Sequence, residues 1–198
     1  MFEIMTVCTG NICRSPLAQQ LLHQRLADLP HAMTSGGTFD MRSAEMPDDA
    51  QRLAVMLGVP ADEAASHRSQ LVDAERLRTP DLVIAMTREH RKAVVSVAPA
   101  RLRTTFTARE LGRLAASLSD DEIASAADAG GTDASARLRA AVQLAAGQRG
   151  MIPPPEAPED DDVVDPYRLP WETYELMGRQ LVPAVDQIAR FVRIAVSG

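Results

Sequence analysis

Phe2-Glu3-Ile4-Met5-Thr6-Val7-Cys8-Thr9-Gly10-Asn11-Ile12-Cys13-Arg14-Ser15-Pro16 decides how the chain is read. Phe2 to Val7 is a short, mostly apolar run, the pattern of a buried strand. Cys8-Thr9-Gly10-Asn11 breaks that run into a loop. Ser15-Pro16 then opens a helix, because Ser is a favoured N-cap and Pro a favoured first helical residue. Leu17, Leu21, Leu22 and Leu26 give that helix an apolar stripe at helical spacing. The segment therefore reads as strand, loop, helix.

The loop carries a specific chemistry. Five residues separate Cys8 from Arg14, and backbone N–H groups in such a loop point inward to form an anion nest, reinforced by the helix dipole. The same field favours a negative charge on the Cys8 sulfur. Arg14 can grip two phosphate oxygens at once. Gly10 permits a left-handed turn and a close backbone approach, and Ser15 can donate a hydrogen bond to the sulfur. A Walker-type loop is excluded, since no Gly-Lys-Ser/Thr follows. A bare Cys-x5-Arg spacing arises by chance in many chains; the strand before it, the Ser-Pro start after it and the Gly-Asn within it make this one informative.

Working outward, strands and helices alternate. Ala32 to Ser35 is a short strand broken by Gly36-Gly37. Asp48 to Leu57 is a helix between Pro47 and Gly58, and Ser69 to Arg78 a short helix. Leu82 to Met86 is the strongest strand, followed by a helix over Arg88 to Val97, a fourth strand over Leu102 to Thr107 and a helix over Ala108 to Leu118. This order predicts an α/β fold: a single domain, residues 1–198, with a four-stranded parallel Rossmann-like sheet flanked by helices on both faces. Residues 119–135 lack periodicity and read as loop. Ala136 to Gln148 is a helix expected on the outside, Pro153 to Asp162 an extended acidic linker, and Trp171 to Val196 a long amphipathic helix that Pro183 bends or divides.

Composition narrows the function. The formal net charge is −6, so a broad nucleic-acid or anionic-membrane surface is not expected, although an acidic protein can hold a locally positive pocket. Cys8 and Cys13 are the two cysteines among four scattered histidines. That set makes a structural zinc site or a disulfide framework unexpected, and no metal or cofactor is called for. There is no basic leader followed by an apolar run and no 18-residue apolar stretch, so the chain reads as soluble and cytoplasmic.

The nine residues Cys8 to Pro16 resemble the P-loop of low-molecular-weight protein tyrosine phosphatases. Further segments strengthen the resemblance: Ser35-Gly36-Gly37-Thr38, Ser66-His67-Arg68-Ser69, Asp81 to Arg91, and Asp165-Pro166-Tyr167, which is similar to the family's Asp-Pro-Tyr acid loop. The resemblance implies Cys8 as nucleophile, Arg14 as phosphate clamp and Asp165 as general acid, which protonates the leaving phenolate and then activates water. It implies that Thr9, Gly10, Asn11, Ile12, Cys13 and Ser15 wrap the phosphate and that Tyr167 walls the substrate slot. Asn11, Ser15, Ser35 and His67 match the network that shapes the loop. The partner would be a phosphorylated protein.

Three features depart from the family pattern. The chain is longer, with a surplus at about 119–160. Met41 stands where relatives carry an aromatic, and Arg168 replaces a second Tyr. Rival functions on the same scaffold are a protein-arginine phosphatase, in which Thr stands at the place of Ile12 and Phe often at that of Tyr167; a thiol-dependent arsenate reductase, which needs cysteines after Cys13; and a non-catalytic phosphate-binding module, which needs neither nucleophile nor acid. Cys13, five residues from Cys8, is either a trap for oxidised Cys8 or a small core residue.

Overall fold

The apolar run at the N-terminus becomes the central strand, because it is apolar on both faces and so must be covered on both. In the computed structural model, which describes residues 1–197, β1 (Phe2–Cys8) lies between β2 (His31–Gly37) and β3 (Leu82–Ala85), with β4 (Thr105–Thr107) beyond β3; all pairs are parallel. The helices are α1 (Arg14–Arg25), α2 (Asp48–Met56), α3 (Ala61–Ser66), α4 (Arg88–Val97), α5 (Ala108–Ala116), α6 (Asp120–Asp128), α7 (Ala134–Gly147) and α8 (Trp171–Val196).

Alternate residues of β1 serve two cores. Phe2 and Ile4, with Leu82, Ile84 and Phe106, join the main core beneath α1, α5, α7 and α8. Met5 and Val7, with Val83, pack on Leu77 and on Val94 of α4 in a smaller core. Helices thus cover both faces of one four-stranded parallel sheet in one domain, as the sequence predicts. α8 places Met177, Leu181, Val185, Ile188 and Val192 in the main core, each worth roughly 2 kcal/mol of burial. Gly112 lets α5 touch it, since a Cβ there would lie 2.9 Å from Ala184 Cα.

Several local expectations change. Gly36-Gly37 does not end β2. The strand runs through both, and they are glycines because neighbours crowd them: a Cβ on Gly36 would lie 2.3 Å from Val72 Cγ2, and one on Gly37 2.7 Å from the Thr9 carbonyl oxygen. Ser69 to Arg78 is not a helix. Its backbone is used laterally, with Gly37 N–H donating to Gln70 O and Val72 N–H to Gly37 O, both at 2.8 Å. The fourth strand shrinks to Thr105–Thr107 because Leu102 and Thr104 close turns onto Pro99 and Arg101.

Residues 119–135 are not all loop. Ser119 and Glu122 form a capping box for α6, and Ile123 and Ala127 bury its inner face; the alanine-rich stripe hides its period. α7 is not an outer addition either: Leu138, Ala141, Val142 and Ala145 are fully buried against the sheet and α8. The linker folds into a 3-10 turn over Pro158–Asp161, and α8 continues through Pro183 as one helix.

Gly37→Ala is expected to lower the urea midpoint by the equivalent of about 1–3 kcal/mol, since its Cβ meets P-loop backbone that cannot step aside. Gly147→Ala, whose Cβ meets nothing within 4 Å, is expected to be neutral or to gain up to about 1 kcal/mol.

Candidate active site

The loop between β1 and α1 must turn sharply, and Asn11 makes the turn in the left-handed region (φ 53°). Gly10, expected to supply that conformation, does not; its need is space, since a Cβ there would lie 3.1 Å from Met41 Cγ. Asn can adopt such a φ at modest cost, and four further bonds hold it there. Asn11 Nδ2 donates to Ser15 Oγ at 3.0 Å and to Ser35 Oγ at 2.9 Å. Asn11 Oδ1 accepts from Gln70 N–H at 2.9 Å, and Asn11 O accepts from His67 Nε2 at 2.7 Å. The network drawn from sequence is therefore assembled around Asn11. His67 carries its proton on Nε2, and burial moves its pKa down.

The Cys8 sulfur lies at the centre of the turn. Asn11 N–H donates to it at 3.2 Å, and Ser15 Oγ lies 3.0 Å away. Ser15 Oγ accepts from Asn11, and its own proton has two acceptors in reach, the sulfur at 3.0 Å and the Gly36 carbonyl oxygen at 3.5 Å. This use of Ser15 displaces the expected helix start: α1 begins at Arg14 with Cys13 as N-cap, and Ser15 faces the sulfur instead of capping. Cys13 is buried, and its thiol is pushed up to about 12 chiefly by burial and then by Cys8. Both cysteines are unpaired.

Arg14 is 4% exposed and reaches across the chain. Its Nη2 donates to Asp165 Oδ2 at 2.6 Å and to Thr9 Oγ1 at 3.1 Å, and its Nη1 to Val163 O at 3.4 Å. Asp165 stands at the rim, with a side chain 51% exposed, and accepts the Tyr167 N–H on its other oxygen at 3.2 Å. The neighbouring acids are used elsewhere: Asp160 accepts from Ala157 N–H, Asp161 pairs with Arg113, and Asp162 accepts from Arg88 N–H. Asp165 alone of these four lines the cleft.

The cleft encloses about 150 Å³. Cys8, Thr9, Gly10, Ile12, Cys13 and Arg14 line it together with Phe39, Met41, Asp165 and Tyr167. Met41 is thus a wall, and Phe39, unremarked in the sequence, brings an aromatic ring to the same wall region. Arg168, at φ 61°, lays its guanidinium 5.0 Å from the Tyr167 ring centroid. Chemically, the arrangement can hold a tetrahedral anion over a sulfur, with a carboxylate at the open side.

His90 was also missed. It is buried on α4, and its Nε2 lies 2.8 Å from Thr9 Oγ1, the hydroxyl that accepts from Arg14. Its Nδ1 lies 2.8 Å from Thr87 Oγ1, the N-cap of the same helix. Burial first, then Arg14, pushes its pKa down to about 4. The legible signal was the Thr87-x-x-His90 spacing directly after β3.

Comparison with known proteins agrees with this geometry. The family model described as "Low molecular weight phosphotyrosine protein phosphatase" matches residues 3–111. The chain is 35% identical over 97 residues to the low molecular weight protein-tyrosine-phosphatase Etp of Escherichia coli, covering 49% of this chain and 62% of that protein. It thus spans less than two thirds of that relative. It is 33% identical over 110 residues to a protein-arginine-phosphatase of Geobacillus stearothermophilus, covering 55% of this chain and 70% of the relative. The fold of the tyrosine phosphatase Wzb from E. coli K30, solved with sulphate, superposes with a TM-score of 0.64 at 21% identity, over 96% of this chain and 97% of that one. The chain belongs to the low molecular weight phosphotyrosine protein phosphatase family.

The His90 environment has a measurable consequence. Above pH about 6.5 the ring is neutral folded and unfolded and makes no contribution. As pH falls from 6.5 toward 4, the unfolded chain takes up a proton that the folded site refuses, so stability drops, by up to about 3 kcal/mol. In His90→Asn the loss of unfolding free energy between pH 6.5 and pH 4 is expected to be smaller by that order, as read from urea titrations at several pH values.

Proposed function

We propose that this member of the low molecular weight phosphotyrosine protein phosphatase family is a cysteine-dependent protein tyrosine phosphatase acting through a phosphocysteine intermediate. The observation that carries the reading is the Arg14–Asp165 contact at 2.6 Å, which puts the candidate acid at the mouth of the nest that holds the Cys8 sulfur. In the reaction, the phosphate monoester enters the nest and Arg14 turns its donors to the phosphoryl oxygens. The Cys8 sulfur attacks phosphorus as the phosphorus–oxygen bond to the leaving group breaks, and Asp165 gives that oxygen its proton. Asp165, now a carboxylate, takes a proton from water as the water attacks the phosphocysteine. Inorganic phosphate leaves, and Ser15 and the Asn11 N–H support the departing sulfur.

An aryl ester fits the walls, because Ile12, Phe39, Met41 and Tyr167 offer apolar and aromatic surface to a planar ring. The relative named a protein-arginine-phosphatase keeps phosphoarginine as the second reading. The substrate we propose is a phosphorylated protein. The chemistry needs a reduced thiol, which suits a cytoplasmic setting; no helix among the described residues is long and apolar enough to cross a membrane. We further propose that the stretch at about 119–160, beyond the last residue matched by the family model, is an insertion in which α7 stabilises the core and the exposed part tunes partner choice.

Cys8→Ser is expected to abolish turnover while leaving vanadate binding largely intact, because the nest is mostly backbone. Asp165→Asn is expected to slow phosphotyrosine hydrolysis by about 10² to 10⁴, and to slow a nitrophenyl phosphate far less, since that leaving group departs without a proton. Equal loss on both esters overturns the acid assignment. Wild type is expected to hydrolyse phosphotyrosine peptides faster than phosphoarginine peptides assayed side by side, and Ile12→Thr to shift the ratio toward phosphoarginine; the reverse preference in wild type selects the second reading.

A further inference from the structure

A second cleft, of about 350 Å³, lies between α5 and α8 on the far side of the acid loop. Arg109 and Arg113, one helical turn apart, face Arg179 and Gln180 across it, and no carboxylate lines it. Arg109 and Arg179 form no ion pair with any described carboxylate. Arg113 spends its terminal nitrogens on Pro153 O and Asp161, yet its Nε–H is buried with no partner. A buried donor left unpaired is uncommon and costly. On a chain of net charge −6, the two unpaired guanidinium groups of Arg109 and Arg179, beside an Arg113 already paired with Asp161, make the cleft locally positive.

We propose that this cleft binds a phosphate-type oxyanion, held by Arg109, Arg179 and the Arg113 Nε–H, and that its occupancy is felt at the acid loop. The coupling route is short. Arg109 Nη1 donates to Asp162 O at 3.0 Å, and Gln180 Oε1 accepts from Val164 N–H at 2.9 Å. These two cleft residues hold the backbone on either side of Val163, whose carbonyl accepts from Arg14, and Asp165 follows directly. An anion that draws the Arg109 guanidinium into the cleft competes with its bond to Asp162 and so acts on the segment that places Asp165.

Binding is tested without turnover. In the full chain carrying Arg14→Ala, which removes the clamp of the first site, inorganic phosphate is titrated at constant ionic strength with chloride as balance, and arginine Nε–H resonances are followed by NMR. A saturable shift of the Arg113 Nε–H is expected. Adding Arg179→Gln, an exposed change, is expected to weaken its half-saturation about tenfold, the worth of one charge-assisted hydrogen bond. No saturable shift, or the same half-saturation in Arg179→Gln, overturns the site. Coupling is then read in the otherwise wild-type chain, where phosphate is expected to add a non-competitive component to its competitive inhibition, absent in Arg179→Gln. Purely competitive inhibition in both overturns the coupling. A chain that does not hydrolyse phosphotyrosine but shows the NMR shift refutes the proposed function and leaves the site standing.

Discussion

The left-handed turn at Asn11 is the constraint on which the site depends. An L-residue at φ 53° is held there only when its surroundings outweigh the local cost. Here they come from three places: Ser15 in α1, Ser35 in β2, and the strap that supplies His67 and Gln70. Each of those elements is fixed by its own packing. The curvature of the loop is thus a tertiary property, and the backbone N–H that reaches the Cys8 sulfur is aimed by residues up to 59 positions away. This also explains the strap's lack of helix: Ser69 to Val72 spends its backbone on Ala44, Asn11 and Gly37.

The second anchor is electrostatic. Arg14 is a nearly buried cation, and such a charge is tolerated only when paired. Asp165 and two neutral oxygens pair it. A phosphate brings its own negative charge to the same guanidinium, so ligand and carboxylate compete for one partner. The Asp165 carboxylate is therefore held at the mouth by a guanidinium that an incoming anion would also claim. The backbone behind it is pinned to the sheet, since Val163 N–H donates to Met86 O at the end of β3 at 2.8 Å, which keeps Asp165 at the carboxyl edge where parallel α/β sheets bind ligands.

What the sequence disclosed follows from the range of the forces involved. β1, the stripe of α1 and the apolar run of β3 were legible because periodicity and caps are local. Cys8, Arg14 and Asp165 were legible because motifs preserve them in order. Gly36 and Gly37 were misread as a break because their cause is the side chain of Val72 and the carbonyl of Thr9, neither near in sequence. α6 was missed because Ala and Asp dilute its stripe, although the Ser119–Glu122 capping box was present to be seen. Phe39 has no motif to announce it, and the Thr87-x-x-His90 spacing announces only a helix start; their meaning comes from Thr9 and the cleft, which exist only after folding.

The use of aromatics ties composition to the cleft. The chain has seven such rings: four Phe, two Tyr and one Trp. Phe2, Phe106, Phe191 and Tyr174 are buried in the core, and Trp171 packs against it, stacked on Tyr174 and under the Arg52 guanidinium. The remaining two, Phe39 at 63% and Tyr167 at 37%, are exposed, and both line the cleft over Cys8. A chain so sparing with aromatics gains nothing in stability from rings left in water, since only burial removes apolar area. Each ring can bury up to about 150–250 Å², so a planar group entering between them would desolvate surface that the fold itself leaves open. The walls therefore suit a planar ring, while the backbone nest beneath suits a tetrahedral anion.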